Sequence, residues 1–122
     1  MWGKYSETVL DHAMNPRNVG SISEPDGFGE DTSECGDTMA IWLRVEDGRI
    51  ARATFWTDGC GTTIACGSMV TELAKGKTVN EALQIDQEKI LRSLGGLPEE
   101  SVHCAALAAR TLRKALQDCL EK

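Results

Sequence analysis

Between Thr38 and Thr57 apolar residues tend to alternate with polar ones, whereas beyond Gly61 they recur every three or four positions. The first period is that of a strand with one buried face, and the second that of an amphipathic helix. On a strand Thr38–Val45, Met39, Ile41, Leu43 and Val45 share one face; on a strand Arg49–Thr57, Ala51, Ala53 and Phe55 do. Cross-strand partners point the same way, so these two odd-numbered sets should pair. A two-residue turn at Asp47-Gly48 would set Glu46 against Arg49, odd against even. A three-residue loop, Glu46-Asp47-Gly48 with Gly48 left-handed, restores the match. That register puts Trp42 opposite Arg52 on the outer face, where ring and guanidinium can stack.

Around this hairpin the pattern predicts helices. Ser6–Met14 reads as a first helix, stopped by Asn15-Pro16 because the residue before proline avoids the helical region. Arg17 to Gly36, rich in Gly, Ser, Asp and Pro, reads as mostly loop with one short strand near Phe28–Ser33. Gly61–Lys75 carries Cys66, Val70 and Leu73 on one stripe, with Gly76 as its C-terminal cap. Thr78 and Glu81 have the spacing of a capping box. Short helices follow at Val79–Leu83 and Gln87–Leu94, ended by Gly95-Gly96. The final helix, His103 to Leu120, aligns Leu107, Thr111, Leu112, Ala115, Leu116 and Cys119 toward a core. Strands first and helices after predict an α+β fold: a small antiparallel sheet of about three strands with helices packed on one face.

Length and charge narrow the partners. With 122 residues the chain suits one domain, 1–122, large enough to bury a core without disulfide or metal. Thirteen Lys and Arg against nineteen Asp and Glu leave a net charge of −6, which repels a phosphate backbone; nucleic acid is not an expected partner. No apolar run reaches the ~20 residues of a membrane span, and Met1-Trp2-Gly3-Lys4-Tyr5 lacks the apolar stretch of a signal peptide. A cytoplasmic location without membrane association is therefore expected. In such a reducing compartment the five cysteines, Cys35, Cys60, Cys66, Cys104 and Cys119, stay free, and a cluster of them reads as metal-binding or catalytic.

Candidate chemistry lies in Cys35-Gly36-Asp37, Asp58-Gly59-Cys60-Gly61 and His103-Cys104. In an extended segment Cys35 and Asp37 project to one side and can reach one metal, with Gly36 letting the backbone come close. Cys60 falls where the second strand meets a helix, and the positive end of the helix macrodipole favours its thiolate. His103 and Cys104 open the last helix with one nitrogen and one sulfur donor. Together these are three thiolates, a carboxylate and an imidazole, one donor more than a four-coordinate site needs. Such a surplus suits a site that changes ligands, and its softness points to zinc or iron–sulfur rather than calcium or magnesium.

Plainer readings compete. Cys119 on the apolar stripe of the last helix reads as packing, as does Cys66, although Cys66 follows Cys60 closely enough to leave a role as nearby thiol open. Asp37 can be a turn residue and His103 a helix-start residue. His12 reads as surface or as a local hydrogen-bond partner. Trp2, Trp42 and Trp56 read as packing or interaction surface rather than a cofactor box.

With Tyr5-Ser6-Glu7, Asp11-His12 and Asn15-Pro16-Arg17-Asn18-Val19-Gly20 added to those three segments, the chain resembles, almost end to end, the U-type iron–sulfur cluster assembly scaffolds and the N-terminal domain of nitrogen-fixation U proteins. The resemblance implies a non-enzymatic scaffold. It would receive iron and desulfurase-derived persulfide sulfur, build a [2Fe–2S] cluster and pass it to acceptor apoproteins. By the same resemblance Cys35, Cys60 and Cys104 are the thiolate ligands, Asp37 the labile fourth, and His103 an alternative ligand when zinc or iron alone is bound. Cys104 is the expected persulfide acceptor. Implied partners are a cysteine desulfurase, a ferredoxin-like electron donor, apo iron–sulfur proteins and a second copy of the chain; Tyr5 matches a tyrosine that in some relatives helps control dimerisation.

Three departures qualify the resemblance. Leu97-Pro98-Glu99-Glu100-Ser101 stands where single-domain members often carry Leu-Pro-Pro-Val-Lys, which puts transfer by a dedicated Hsp70-type chaperone in doubt. Cys66 stands where many relatives have serine. The chain ends at Lys122 without the cysteine-bearing domains of the longer proteins, and is read as a standalone scaffold or one domain of a longer chain. The rival readings are a zinc-dependent sulfurtransferase of the same superfamily, disfavoured by the lack of an insertion between Cys60 and Cys104, and a structural zinc module.

Overall fold

The computed structural model describes residues 4–122; Trp2 lies outside them. In chain order the elements are α1 (Glu7–Met14), β1 (Gly27–Thr32), β2 (Thr38–Glu46), β3 (Arg49–Thr57), α2 (Gly61–Ala74), α3 (Val79–Ala82), α4 (Gln87–Leu94), a 3₁₀ turn (Glu99–Ser101) and α5 (Val102–Glu121). The strands form one antiparallel sheet in the order β1-β2-β3. The α+β expectation holds, with helices against one face of the sheet.

Local chemistry sets the helix ends. Ser6 caps α1 by accepting from the Val9 N–H at 3.0 Å, and its own hydroxyl donates to the Leu94 carbonyl, tying α1 to the end of α4. Thr78 and Glu81 make the expected capping box. Asp86 accepts from the Lys89 N–H at 2.9 Å to start α4, and Gly95, at φ 81°, ends it. Lys75 is the cap residue of α2, and Gly76, at φ 84°, supplies the left-handed turn just after it.

The hairpin corrects the expected loop. Glu46 does pair with Arg49, across a two-residue turn in which Asp47 and Gly48 both have positive φ, 53° and 77°. This is the twist that two-residue hairpins favour. Parity is restored one step later: Val45 pairs with Ile50, Arg44 with Arg52, and Ala51 is the extra residue of a β-bulge. Ile50 therefore takes the buried position expected of Ala51, which is exposed. Trp42 faces Thr54, not Arg52, and stacks instead on Phe28 with ring centroids 5.3 Å apart. Trp56 on the same outer face is 47% exposed, so the reading of these tryptophans as packing or surface stands.

On the inner face Met39, Ile41 and Leu43 of β2 join Ile50, Ala53 and Phe55 of β3 in a core with Leu107, Leu112 and Leu116 of α5 and Val70 of α2. Burying each of these side chains larger than alanine contributes about 1.5–3 kcal/mol. The inner positions of β1 are Gly27, Gly29 and Asp31, and at the two glycines α5 rests on bare backbone. A Cβ on Gly29 would lie 2.5 Å from the Ala115 nitrogen and 2.7 Å from the Thr111 oxygen. Polar bonds hold the seam: the Phe28 N–H donates to Asp118 at 2.9 Å, and Asp31 pairs with Arg110 at 2.8 Å and Lys114 at 3.4 Å. Gly29→Ala should lower stability by about 1–3 kcal/mol, the usual cost of overpacking, as read from denaturant midpoints. An unchanged midpoint would show that α5 can shift freely on β1.

His12 is neither surface nor locally bonded. It is buried, 8% exposed, with Nδ1 2.7 Å from the Ser68 hydroxyl of α2. That hydroxyl also accepts from the Arg17 N–H at 3.0 Å, so one side chain of α2 holds both α1 and the segment after it. Burial, and then the charge of Arg17, push the His12 pKa down and keep the ring neutral. His12 thus pins α1 to α2.

Candidate functional site

The start of α2, the start of α5 and the turn between β1 and β2 meet at one end of the molecule, and each supplies part of the predicted donor set. Cys60 is the N-cap residue of α2, exposed to solvent. His103 and Cys104 lie in the first turn of α5, His103 exposed and Cys104 buried. The segment Cys35–Asp37 is a tight turn rather than extended chain: the Gly36 N–H donates to the Ser33 carbonyl at 2.9 Å and the Ser33 N–H to the Asp37 carbonyl at 2.8 Å. Gly36 sits at φ 94°, and a Cβ there would meet nothing within 4 Å. Its glycine is required by the left-handed backbone, not by close approach of another group.

A residue that motif reading does not single out stands at the centre. Thr63, fully buried in the first turn of α2, donates its hydroxyl proton to Asp37 Oδ2 at 3.2 Å. Thr63 Oγ1 also lies 3.5 Å from Cys104 Sγ and 3.8 Å from Cys60 Sγ. His103 Nε2 is 3.7 Å from Cys104 Sγ. Cys35 joins from the far side, where it lines a cavity of about 410 Å³ with Thr32, Ser33, Glu34, His103 and Arg110. Asp37, Cys60, Cys104 and His103 are thus linked by these distances, and Cys35 shares the cavity wall with His103. Among the described residues, no three His, Cys, Asp or Glu side chains stand close enough to ligate one metal as they are. Thr63 lies between them.

The thiols are not equivalent. Burial opposes the Cys60 thiolate, yet the backbone amides of Thr63 and Thr62, and then their hydroxyls, bring its pKa below the usual thiol value. The sulfur makes no side-chain capping hydrogen bond, and the Thr63 hydroxyl oxygen lies 3.8 Å from it. Burial pushes the Cys104 thiol up; the Thr63 hydroxyl works against that, and Cys60, Asp37 and Cys35 add to it. Burial also holds Cys66 well above the usual value, with Cys104 and Cys60 adding to it, and its side chain lies wholly in the core. Cys66 is therefore a packing residue that stays a thiol. Cys119 is half-buried and packs beside Gly27, as expected of a stripe residue.

The donor chemistry fits an iron–sulfur cargo. Three thiols, one carboxylate and one imidazole are soft to borderline donors. The cavity beside Cys35 far exceeds the ~30 Å³ share of a single water. Ser33, two residues before Cys35, keeps a buried hydroxyl with no hydrogen-bond partner among the described residues, a free polar group beside that cavity.

Residues 4–122 match the family described as the NifU-like N terminal domain. The chain belongs to this family. It is 49% identical over 119 residues to the iron-sulfur cluster assembly scaffold protein IscU 1 of Archaeoglobus fulgidus, covering 97% of this chain and 78% of that one. It is 44% identical over 119 residues to the IscU scaffold protein of Haemophilus influenzae, covering 93% and 94%. Among solved structures, the N-terminal NifU-like protein of Brucella abortus superposes with a TM-score of 0.75 at 21% identity, over 99% of this chain and 97% of that one. FiSufU of Fervidobacterium islandicum, a SUF-system scaffold by its description, gives 0.74 at 23%, over 94% and 98%. At such identities these two likenesses speak for the fold alone.

Proposed function

We propose that this chain is a scaffold on which a [2Fe–2S] cluster is assembled from iron and persulfide sulfur and from which it is passed to apoproteins. One observation carries the reading: in a member of this family, Asp37, Cys60 and Cys104 converge on the Thr63 hydroxyl while Cys35 and His103 line the same adjoining cavity. Cys35, Cys60 and Cys104 hold the cargo, Asp37 is the exchangeable fourth ligand, and His103 replaces it when zinc or iron alone is bound. The chain binds, positions and releases; it is not an enzyme.

Sulfur arrives by exchange. A scaffold thiolate attacks the terminal sulfur of the desulfurase persulfide, a new S–S bond forms on the scaffold, and the desulfurase cysteine leaves as thiolate. We assign the acceptor to Cys104. Because it is buried, the side chains around it must move before it can meet a persulfide. Cys60, exposed and with a depressed pKa, is a second reading as first acceptor. Reduction of that sulfur falls to a ferredoxin-like donor, and a homodimer is a further expected state. The Leu97–Ser101 segment, partly in the 3₁₀ turn, leaves recognition by an Hsp70-type chaperone unsupported. No helix among the described residues is long and apolar enough to cross a membrane, and we place the chain in the cytoplasm.

Anaerobic reconstitution with iron and sulfide tests the reading. A red-brown protein holding iron and sulfide in equal amounts, about two of each per site, is the expected result. A colourless protein that retains one zinc would shift the assignment to a sulfurtransferase or a structural zinc module.

A further inference from the structure

Buried hydroxyls need partners, and α-helical threonines usually find one in the carbonyl a turn earlier. Thr71 and Thr111, both fully buried, do this: their hydroxyls donate to the Gly67 and Leu107 carbonyls at 2.8 and 2.7 Å. Thr63, equally buried, does not. Its proton goes across the site to Asp37, 26 positions away in sequence. Gly59 makes this placement possible, because a Cβ on Gly59 would lie 2.7 Å from the Thr63 oxygen. The fold has therefore kept a hydroxyl at the one point that touches the carboxylate and two of the three site thiols.

We infer that Thr63 is a positioning residue that makes Asp37 exchangeable, by giving its carboxylate a second partner to hold when it is not on the cargo. The inference rests on the assignment of Asp37 as a cluster ligand. An isolated carboxylate leaving a metal in a half-buried site loses a strong interaction and gains little. With Thr63 in place it exchanges the metal for a charge-assisted hydrogen bond. Because Thr63 Oγ1 lies 3.5 Å from Cys104 Sγ and 3.8 Å from Cys60 Sγ, that partner adjoins the ligand shell, and the exchange needs only a small movement.

The test uses Thr63→Val, Thr63→Ser, Asp37→Ala and the Thr63→Val/Asp37→Ala pair, with Thr63→Ala in place of valine should the isosteric change impair folding. In the metal-free chain, the side-chain carboxylate ¹³C resonance of Asp37 should move in Thr63→Val and return in Thr63→Ser. In reconstituted protein, Thr63→Val should lengthen cluster half-life by about tenfold, the low end of what one hydrogen bond to a charged group supplies. Serine should restore the wild-type half-life, and valine should add nothing in the Asp37→Ala background. A carboxylate resonance blind to Thr63, or a valine effect of equal size with and without Asp37, overturns the inference. Should wild type take up no cluster at all, the scaffold reading falls instead, and the carboxylate resonance alone decides whether Thr63 holds Asp37.

Discussion

Cys104→Ser should reduce the iron and sulfide retained after reconstitution by more than about tenfold, since even the loss of an outer-shell partner at a metal site costs 10–100-fold. Serine is a hard oxygen donor that stays protonated where a thiol would ionise, so the site loses a third of its sulfur ligands. The position is buried, and a structural collapse must be separated from a loss of ligation. The Thr63 hydroxyl, 3.5 Å from the sulfur, can partner the new hydroxyl, so the variant should fold. Its far-UV circular dichroism and thermal midpoint should follow the wild type closely. Cys119→Ser, on the side of α5 that packs beside Gly27, should leave assembly intact and serves as the matched control. Incubation with a desulfurase and its cysteine substrate completes the test: wild type should gain one sulfur atom on Cys104, and Cys104→Ser none. A persulfide that persists in the serine variant and maps to Cys60 would transfer the acceptor role to the exposed thiol.

Asp37→Ala should act in the opposite direction and prolong the life of an assembled cluster, on the order of tenfold, equivalent to roughly 1.4 kcal/mol in the barrier to release. The carboxylate is the one oxygen donor among the predicted ligands, and oxygen is a poor match for iron already bound to sulfur. Removing it leaves a position that His103 can take, since its Nε2 already lies 3.7 Å from Cys104 Sγ. Imidazole exchanges less readily there than carboxylate. The decay of visible circular dichroism with and without an acceptor apoprotein measures the effect. A cluster that decays faster in Asp37→Ala would remove Asp37 from its assigned role, and loss of the gain in Asp37→Ala/His103→Ala would identify the substitute ligand.

Much of this architecture was legible in the sequence because it is local. The capping box at Thr78 and Glu81 uses a side chain that bonds backbone three positions ahead, and such a signal survives without tertiary context; Ser6 and Asp86 cap α1 and α4 at the same spacing. The hairpin was legible in its strands but not in its register. Counting odd and even positions assumes that each strand advances without interruption, and the bulge at Ala51 breaks that assumption without any distinctive residue to mark it. His12 was misread because its partner, Ser68, lies 56 positions away, beyond the reach of any pattern on α1. Motif reading likewise found the five donors and missed Thr63. A threonine near a helix start is common, and only its distances to Asp37, Cys60 and Cys104 set it apart. The role of Gly36 came out differently for a similar reason: sequence shows that a glycine is present, while its φ of 94° shows why.

The bare-backbone seam between β1 and α5 has a bearing on how this protein can change over generations. The helix carries His103 and Cys104, and the strand leads into the Cys35 turn, so the seam sets the span between two sides of the site. That span is fixed by main chain against main chain at Gly27 and Gly29. Apolar side chains elsewhere can drift in size without widening it, as long as the two glycines remain. Two changes of similar cost to stability should therefore differ in kind: one at Gly27 or Gly29 alters the distance between donors of the site, and one at a core leucine does not.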